Sequence, residues 1–440
     1  MKPGAKYFCL QLPIVMKYEN NLDFALVQDE RDELRAYRSQ FLFPQHTGKN
    51  VLYFTGNSLG LQPKDAREAL IQECDDWASF GVEGHFEAKH PWFSYHEELT
   101  EDAAKLVGAL PKEVVMMNQL TVNLNLLLIS FYRPEGKRRK ILFETKPFPS
   151  DQYAFASQAK LHGFDPDEVL VEMQPRSGEL TLRHEDIVAK IRELGDELAL
   201  VCFGAVNYFT GQFFDLASIA EAAHKQGAIC GFDLAHCAGN LPLRLHDWNV
   251  DFACWCTYKY LNSGPGSVGG VFIHEQHVSN PSLIRLAGWW GHNKKTRFEM
   301  GPDFDPIHTA ESWSMSNAPV FNMAIHRVSL KLFSEVGMQV LREKSIKLTG
   351  YLEFVLAEIE KTTGQSLKII TPSDPDQRGC QLSIVVEGAT KSLVKKLSDR
   401  GVIVDWREPN VIRMAPVPLY NSYEDVYRFG EIFKEVLTER

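Results

Sequence analysis

Short apolar runs alternate with helical patterns through the middle of this 440-residue chain. Seven runs have the length and continuous apolar character of buried strands, at 113–117, 140–143, 169–172, 198–203, 228–232, 251–256 and 270–274. Helical spacing of apolar residues precedes and separates them, at 22–40, 63–80, 96–109, 121–132, 151–162, 184–195 and 215–226. Strands that alternate with helices and lack a polar face are typical of a mostly parallel sheet covered on both faces. The alternation therefore predicts an α/β fold.

The pattern changes after residue 318. A long helical stretch covers 319–361, with a break predicted near Gly337. Strands are predicted near 367–371, 380–386, 402–405 and 411–414, and helices near 390–399 and 422–438. This mixed order predicts a smaller α+β unit. We therefore expect two domains, although a prior of roughly 150 residues per domain suggests about three.

The charge balance argues against two classes of partner. Lys and Arg total 47 against 57 Asp and Glu, which gives a net charge of −10. An acidic surface repels nucleic-acid phosphates and anionic lipid, so we expect neither a nucleic acid nor a membrane as partner. No segment approaches the ~20 consecutive apolar residues that a membrane helix requires.

The N-terminal residues MKPGAKYFCLQLPIVM loosely resemble a secretion signal. Gln11 and Pro13 interrupt the apolar run, and no small-residue cleavage site follows it. The regular pattern begins at Met16 and Lys17. We therefore expect residues 1–17 to be an N-terminal extension and the protein to be cytoplasmic.

The cysteine pattern is that of a reducing compartment. The chain has eight cysteines and no CxxC motif, and four of them lie in strand-like apolar runs: Cys202, Cys230, Cys254 and Cys256. We expect buried, reduced thiols rather than disulfides or a zinc site. His274 and His277 lack the HExxH spacing and are interpreted as surface histidines, so no metal is expected.

One glycine motif does not carry the function that it suggests. GPGSVG at 264–269 matches GxGxxG, the fingerprint of dinucleotide-binding folds. That fingerprint requires a preceding strand and a following helix, whereas here KYLNS precedes it and the strand-like GVFIH follows. No GxxxxGK[ST] motif occurs either. The sequence thus gives no support for a nucleotide-binding site.

Chemistry-bearing residues cluster at 230–262. One apolar run ends at Asp233, His236 follows it, and the next run leads into Tyr258 and Lys259. The carboxyl ends of neighbouring parallel strands face one crevice, so these side chains are expected to converge. A lysine there is suited to Schiff-base chemistry, and an acid is suited to the ring nitrogen of pyridoxal phosphate. By spacing alone, a helix-capping Asp and a surface Lys stay open as the alternative.

The motifs FDLAH and CWCTYKYLN, with Lys259 following Asp233 by 26 residues, resemble fold-type I pyridoxal-phosphate enzymes. The resemblance is closer still to the kynureninase family. Further matching segments run in family order to the C-terminus: YFTGNSLGLQP (53–63), GHFEAKHPW (84–92), MNQLTVNLN (117–125), FPSDQYA (148–154), YFTGQFFD (208–215), LAGWWGH (286–292), SMSNAP (314–319) and VIRMAPVPLYNS (411–422).

The resemblance implies an aspartate aminotransferase-like α/β fold. Its large domain has a mostly parallel sheet and binds pyridoxal 5'-phosphate, and its smaller C-terminal domain is α+β. In this chain the large domain would span 63–317 and the small domain 318–440. Residues 18–62 would form an N-terminal segment that packs with the small domain. The resemblance also implies a homodimer with shared active sites.

For the cofactor, the resemblance implies that Lys259 forms the Schiff base and that Asp233 pairs with the pyridinium nitrogen. Phe148 would stack on the ring and Tyr258 would reach the phosphate. The remaining implied cofactor residues are Leu120, Thr121, Pro149, Ser150, Asp151, Gly204, His236, Trp289 and Asn317. Thr121 and Ser150 also suit the role of helix N-caps. Gly204 stands where related sequences carry Ser, which puts one polar contact in doubt.

For the substrate, the resemblance implies that Arg413 grips the α-carboxylate, a role that a bidentate guanidinium performs better than lysine. By itself, Arg413 could equally be an exposed strand residue. The other implied substrate residues are Ser58, His85, Trp290, Ser316 and Asn317. His85 and Asn317 offer polar groups to a ring hydroxyl, which suggests that 3-hydroxykynurenine is accepted beside kynurenine.

The implied activity is hydrolytic Cβ–Cγ cleavage of L-kynurenine or 3-hydroxy-L-kynurenine, in tryptophan catabolism and NAD biosynthesis. The products would be anthranilate or 3-hydroxyanthranilate and L-alanine. Lys259, Tyr258 and Asp233 would be the catalytic residues. Cysteine desulfuration or transamination on the same cofactor, and a non-catalytic homologue, stay open as alternatives. Desulfuration requires a reactive cysteine on a mobile loop, and the cysteines of this chain mostly lie in apolar runs.

Overall fold

A seven-stranded sheet forms the centre of the computed structural model, which describes residues 17–280 and 282–439. Its strands are β1 (Val114–Met117), β2 (Lys140–Phe143), β3 (Leu170–Glu172), β4 (Leu198–Gly204), β5 (Ile229–Asp233), β6 (Phe252–Cys256) and β7 (Gly269–Ile273). They lie in the order β1-β7-β6-β5-β4-β2-β3. Only β7 runs antiparallel to its neighbours. The predicted mostly parallel α/β sheet is confirmed.

Helices cover both faces of this sheet. They are α2 (Ala66–Phe80), α3 (Glu97–Val107), α4 (Leu120–Phe131), α5 (Pro149–Leu161), α6 (His184–Leu194) and α7 (Leu216–Lys225), and α1 (Leu22–Glu30) precedes them. Successive residues of a strand point to opposite faces, so Ala253 and Trp255 enter one apolar cluster while Phe252 and Cys254 enter the other. Burial on both faces explains why the strands lack polar alternation.

The C-terminal region has its own four-stranded antiparallel sheet. Its strands are β8 (Leu367–Ile369), β9 (Leu382–Val386), β10 (Asp405–Arg407) and β11 (Val411–Met414), in the order β8-β9-β11-β10. The helices are α8 (Val320–Val336), α9 (Met338–Thr363), α10 (Lys391–Ser398) and α11 (Tyr423–Thr438). Gly337 separates α8 from α9 with φ +79°, so the predicted helix break is confirmed.

The segment before α2 packs on this C-terminal sheet. Residues 52–53 pair in parallel with 402–403, so the single strand predicted at 402–405 is in fact split between two partners. Asp29 accepts hydrogen bonds from the first amides of α11, and Lys344 forms a 2.7 Å ion pair with Asp32. The predicted helix 22–40 is also wrong in extent, because α1 ends at Glu30 and a 3₁₀ turn, Arg35–Gln40, follows.

The domain boundaries stay a prediction, although these contacts agree with an N-terminal segment that packs with the C-terminal unit. The predicted extension at 1–17 lies, apart from Lys17, outside the described residues. Across the part of the chain that is described, no helix is both long enough and apolar enough to cross a membrane.

Candidate active site

The carboxyl ends of β1, β2, β4, β5 and β6 meet at one edge of the sheet and surround a cavity of about 200 Å³. Each crossover leads the chain back to the amino ends of the strands, so parallel strands all finish at the same edge of the sheet. The side chains that follow them are therefore brought together there. Ten of the residues predicted to hold the cofactor line the cavity: Leu120, Thr121, Phe148, Ser150, Asp151, Gly204, Asp233, His236, Tyr258 and Lys259. Pro149 adjoins them as the first residue of α5.

Lys259 enters the cavity from a rigid loop after β6. The amide of Gly60 donates to the Tyr258 carbonyl at 2.8 Å, and the Thr257 hydroxyl donates to the Val268 carbonyl at 2.6 Å. The Lys259 Nζ lies 3.1 Å from His236 Nε2. Burial and the charge of Lys259 hold the pKa of His236 well below its usual range, so His236 is a neutral hydrogen-bond acceptor.

Three buried carboxyl groups face this lysine across the cavity. Burial raises the pKa of Asp233, and the Lys259 charge opposes that rise. Burial and the neighbouring Asp233 raise the pKa of Asp151 much further. The two groups are therefore arranged so that Asp151 holds a proton while Asp233 carries the charge. An ionised Asp233 opposite a lysine is the arrangement that a positively charged ring nitrogen requires.

Glu144, the third carboxyl group, was missed by the sequence reasoning. It follows β2, and its Oε2 accepts a hydrogen bond from the Gly204 amide at 3.0 Å. Burial raises the pKa of Glu144 to about 8, so this carboxyl group keeps its proton to a much higher pH than an exposed glutamate does. A Cβ on Gly204 would lie 2.7 Å from Glu144 Oε1, so the carboxyl group occupies the space that a serine side chain would need. Glu144 thus accounts for the glycine at this position.

The opposite end of the cavity presents free backbone amides. Asn118 turns the chain after β1 with φ +45°, a conformation that asparagine tolerates, and Gln119 is the N-cap of α4 without a side-chain cap. The prediction of Thr121 as N-cap is therefore wrong, because Thr121 is already inside the helix. Ser150 is likewise not an N-cap, since α5 begins at Pro149 after Phe148. The uncapped first turn of α4 suits a phosphate.

These residues fit pyridoxal phosphate, the cofactor that the resemblance implies. The ring of Phe148 is 42% exposed and faces the cavity, which leaves a surface for an aromatic ring to stack on. Asp151 Oδ1 and His236 Nδ1 are buried and have no hydrogen-bond partner among the described residues. Orphaned buried polar atoms of this kind indicate a missing polar ligand. The donor set thus matches a phosphate, an aromatic ring and polar ring substituents.

Arg413 reaches the same region from β11. Its side chain is 1% exposed, and its Nη1 donates to the Tyr208 carbonyl at 2.6 Å. Tyr208 lines the cavity and packs edge-on against Phe148, with ring centroids 5.4 Å apart. The alternative of an exposed strand arginine is therefore wrong. Arg413 also contacts Asp405, a residue that the sequence reasoning did not single out.

The other predicted substrate and cofactor residues lie apart from Lys259 within one chain. Trp290, Ser316 and Asn317 line a second cavity, which shares Gln119 with the first. Three more lie elsewhere: exposed Ser58 precedes Gly60, half-buried His85 contacts the Val82 carbonyl, and exposed Trp289 donates to the Arg297 carbonyl.

The histidines near the far end of β7 differ from the prediction. His274 is buried rather than exposed and stacks on His246, with ring centroids 5.0 Å apart. The ligand atoms of Glu113, His246 and His274 lie within 4.8 Å of one another. Glu113 already accepts hydrogen bonds from Leu110, His246 and Glu275, so this cluster satisfies its own polar groups. That no metal takes part stays a prediction.

Known proteins resemble this chain both in sequence and in structure, and the similarity in sequence is the closer of the two. Residues 341–433 match the family model described as the kynureninase C-terminal domain. A kynureninase from Flavobacterium psychrophilum is 55% identical over 96% of this chain and 100% of its own length. A kynureninase from Myxococcus xanthus is 55% identical over 94% of this chain and 96% of its own length.

Two solved structures with a similar shape are more distant in sequence. A cysteine desulfurase from Thermococcus onnurineus has a TM-score of 0.73 at 19% identity, over 88% of this chain and 94% of its own. A cysteine desulfurase from Escherichia coli has a TM-score of 0.73 at 17% identity, over 92% of this chain and 98% of its own. At such low identity these structures establish the shared fold alone.

Proposed function

The chain belongs to the kynureninase family, and on that premise we propose how its residues carry out the hydrolysis of L-kynurenine at the Cβ–Cγ bond. The enzyme is a pyridoxal-phosphate-dependent hydrolase whose products are anthranilate and L-alanine. One observation carries the assignment of roles: Lys259, Asp233 and the free amides of α4 face a single cavity. That cavity has the size and chemistry of one small cofactor with a phosphate at one end.

When bound, pyridoxal phosphate supplies an electron sink for the negative charge that develops at the substrate's α-carbon. Lys259 moves the α-proton as general base, because it lines the cavity and its Nζ lies 3.1 Å from Nε2 of a neutral His236. Asp233 would stabilise the positive charge of the ring nitrogen, and Asp151 would share a proton with Asp233. The first-turn amides of α4, at Leu120 and Thr121, would hold the phosphate.

Arg413 orients the substrate by its α-carboxylate, which places the γ-carbonyl on the open side of the cavity. Tyr258 is the proton carrier at that carbonyl. Water adds to that carbonyl, the Cβ–Cγ bond breaks, Cγ leaves as the carboxyl carbon of anthranilate, and Cβ takes up a proton to become the methyl group of alanine. Burial raises the pKa of Tyr258, so its hydroxyl keeps a proton that it can donate as the Cβ–Cγ bond breaks.

We propose that His85 and Asn317 contact the substrate's aromatic ring and recognise a hydroxyl group on it. We also propose that 3-hydroxy-L-kynurenine is cleaved. A site that donates to a ring hydroxyl discriminates against a ligand without it, because a polar group is otherwise left unpaired. We expect His85→Phe to raise KM for 3-hydroxykynurenine about tenfold and to change KM for kynurenine much less. Steady-state kinetics on both substrates provide the measurement, with exposed His184→Phe as the matched control. Equal effects on both substrates would show that His85 does not read the hydroxyl.

We further propose that two copies of this chain form a homodimer that shares active sites. Eight large apolar side chains are exposed around the second cavity and the start of α8: Trp77, Phe80, Val82, Phe86, Trp289, Phe298, Met300 and Phe321. Ring contacts join two pairs of them, Trp77 with Phe321 and Phe298 with Trp289. An apolar surface of this extent is typical of a protein interface. A second copy is the occupant we favour, because His85, Trp289 and Asn317 carry predicted active-site roles yet lie away from their own Lys259.

The dimer is tested by placing a charge on this surface. Phe298→Asp is expected to shift the sedimenting mass from twice to once the 50.0 kDa of one chain and to abolish activity. Leu161→Asp is the control, since Leu161 is an exposed apolar residue at the far end of α5. A wild-type protein that sediments as a monomer while fully active would refute the shared site.

We propose a cytoplasmic enzyme of tryptophan catabolism and NAD biosynthesis. The cysteines support a reducing compartment, because the seven that the structure describes are all unpaired and six of them are buried.

A further inference from the structure

Arg413 is paired with a carboxylate of its own chain. Asp405 and Arg413 are directly opposed on the antiparallel strands β10 and β11, and Arg413 Nη2 donates to Asp405 Oδ2. Side chains at opposed positions of a strand pair share one face of the sheet. The guanidinium that would grip a substrate carboxylate is therefore already in contact with the same chemical group.

A second arginine contacts the same carboxylate oxygen. Arg407 lies two residues beyond Asp405 on the same face of β10, and its Nη2 donates to Asp405 Oδ2 at 3.1 Å. The exposed fraction increases outward, from 1% for the Arg413 side chain to 15% for Asp405 and 37% for Arg407. The Nε of Arg407 is buried and has no partner among the described residues. Arg407 thus has a donor free for a second bond to Asp405.

The charged side chains of Arg413, Asp405 and Arg407 border the cofactor cavity. Arg413 donates to the carbonyl of Tyr208, which lines the cavity. The charges of Arg413 and Arg407, after burial and Lys259, also lower the pKa of His236, another lining residue. Arg413 is therefore in direct contact with a residue that lines the cavity, and Arg407 adjoins it through Asp405.

We propose that Asp405 is a placeholder for the substrate's α-carboxylate: the incoming carboxylate displaces Asp405 from Arg413, and Asp405 is transferred to Arg407. The inference rests on the proposed role of Arg413 in substrate binding. It adds two positioning residues, Asp405 and Arg407, that act through Arg413. No covalent bond changes in this exchange, which replaces one carboxylate by another on a single guanidinium.

Two physical arguments support an exchange rather than simple addition. Arg413 Nη1 is bound to the Tyr208 carbonyl, Nη2 is bound to Asp405, and the buried Nε has no partner among the described residues. A carboxylate that binds Arg413 in the bidentate way, through Nε and Nη2, therefore has to take the position of Asp405. A buried arginine without a counter-charge is strongly unfavourable, and the placeholder prevents that state before substrate arrives. After the exchange, Arg413 is paired with the substrate carboxylate and Asp405 is paired with Arg407, so neither charge is left alone. Asp405 also gains the Nε of Arg407 as a further donor.

The decisive variant is Asp405→Asn, which keeps the shape and removes the competing charge. We expect KM for L-kynurenine to fall about three- to tenfold, with kcat nearly unchanged. Arg407→Gln is expected to raise KM by a similar factor, because the displaced Asp405 loses its acceptor. Glu408→Gln, an exposed carboxylate of the adjoining turn, is the matched control and should change neither constant.

A second readout is independent of turnover. L-Alanine carries the same α-carboxylate, so its stabilisation of the cofactor-loaded protein reports on carboxylate binding. Asp405→Asn should melt at a lower temperature than wild type without ligand and should show a larger shift with L-alanine.

The outcomes separate this proposal from the proposed function. A higher KM and a smaller L-alanine shift in Asp405→Asn would mean that Asp405 only holds Arg413 in place, which overturns the exchange, as would no change in either variant. A wild type that releases no anthranilate would refute the proposed function instead, and the L-alanine shifts would still decide between exchange and simple support.

Discussion

Replacing Lys259 with alanine is expected to lower kcat for L-kynurenine by about 10³-fold or more. The side chain serves two purposes in this account, since it links the cofactor covalently and moves the α-proton. Both purposes depend on its position, which the contact with His236 Nε2 at 3.1 Å defines. No other lysine lines the cavity among the described residues, so a replacement base is not at hand.

Borohydride reduction followed by mass spectrometry measures the covalent link separately from turnover. In the wild type, the peptide that contains Lys259 should gain the mass of the reduced cofactor, and in Lys259→Ala no peptide should. Lys225→Ala is the control, because Lys225 lies exposed on α7 and pairs only with Glu221. Labelling of a different lysine, or activity within tenfold of wild type, would contradict the assignment.

Changing Asp233 to asparagine should lower kcat about 10²-fold or more, because the negative charge opposite the ring nitrogen is lost while the shape stays. Asp233 accepts a hydrogen bond from the Ala235 amide at 2.6 Å, which an asparagine oxygen can still accept. The loss of activity is therefore expected without loss of fold. Since the Asp233 charge helps to raise the pKa of Asp151, that pKa should fall in the variant.

Steady-state kinetics at several pH values, with melting curves beside them, distinguish these effects. Asp75→Asn is the matched control, because Asp75 is an exposed residue of α2. If Asp233→Asn keeps kcat within about threefold of wild type, the charge at this position does not serve the cofactor's ring.

The central sheet and the edge that carries the site were predictable from the sequence, because strands buried on both faces appear as uninterrupted apolar runs between helical patterns. The strands from β4 to β7 are continuous apolar runs, and Asp233 ends one of them while Lys259 lies shortly after the end of another. A parallel sheet leaves few places where such residues can meet. Local spacing indicated that the two side chains could converge but left a helix-capping Asp and a surface Lys open, and the family resemblance supplied the pair and their roles.

Residues that act through tertiary contacts were not visible in the same way. Glu144 follows a strand as an ordinary acid, and only the folded structure brings it against the Gly204 amide. Asp405 likewise depends on register, because the pairing of β10 with β11 sets it opposite Arg413. A strand near 402–405 was predicted, but its division between the C-terminal sheet and residues 52–53 was not.

The fold itself does not decide between the reactions that share it. Solved structures similar in shape to this chain include cysteine desulfurases. Desulfuration requires a reactive cysteine. In the described part of this chain, Cys256 is the cysteine nearest in sequence to Lys259, and it is buried with a raised pKa. A buried thiol of this kind is a poor nucleophile, so the site favours hydrolysis of a carbon–carbon bond over desulfuration.

The most direct test of the account is product release by the cofactor-loaded protein. Incubation with L-kynurenine should give anthranilate and L-alanine in equal amounts, while incubation with L-cysteine should give no sulfide. Anthranilate fluorescence and amino-acid analysis measure the two products in one reaction. A protein that holds pyridoxal phosphate on Lys259 yet releases no anthranilate would contradict the central claim, as would L-alanine formed from cysteine alone.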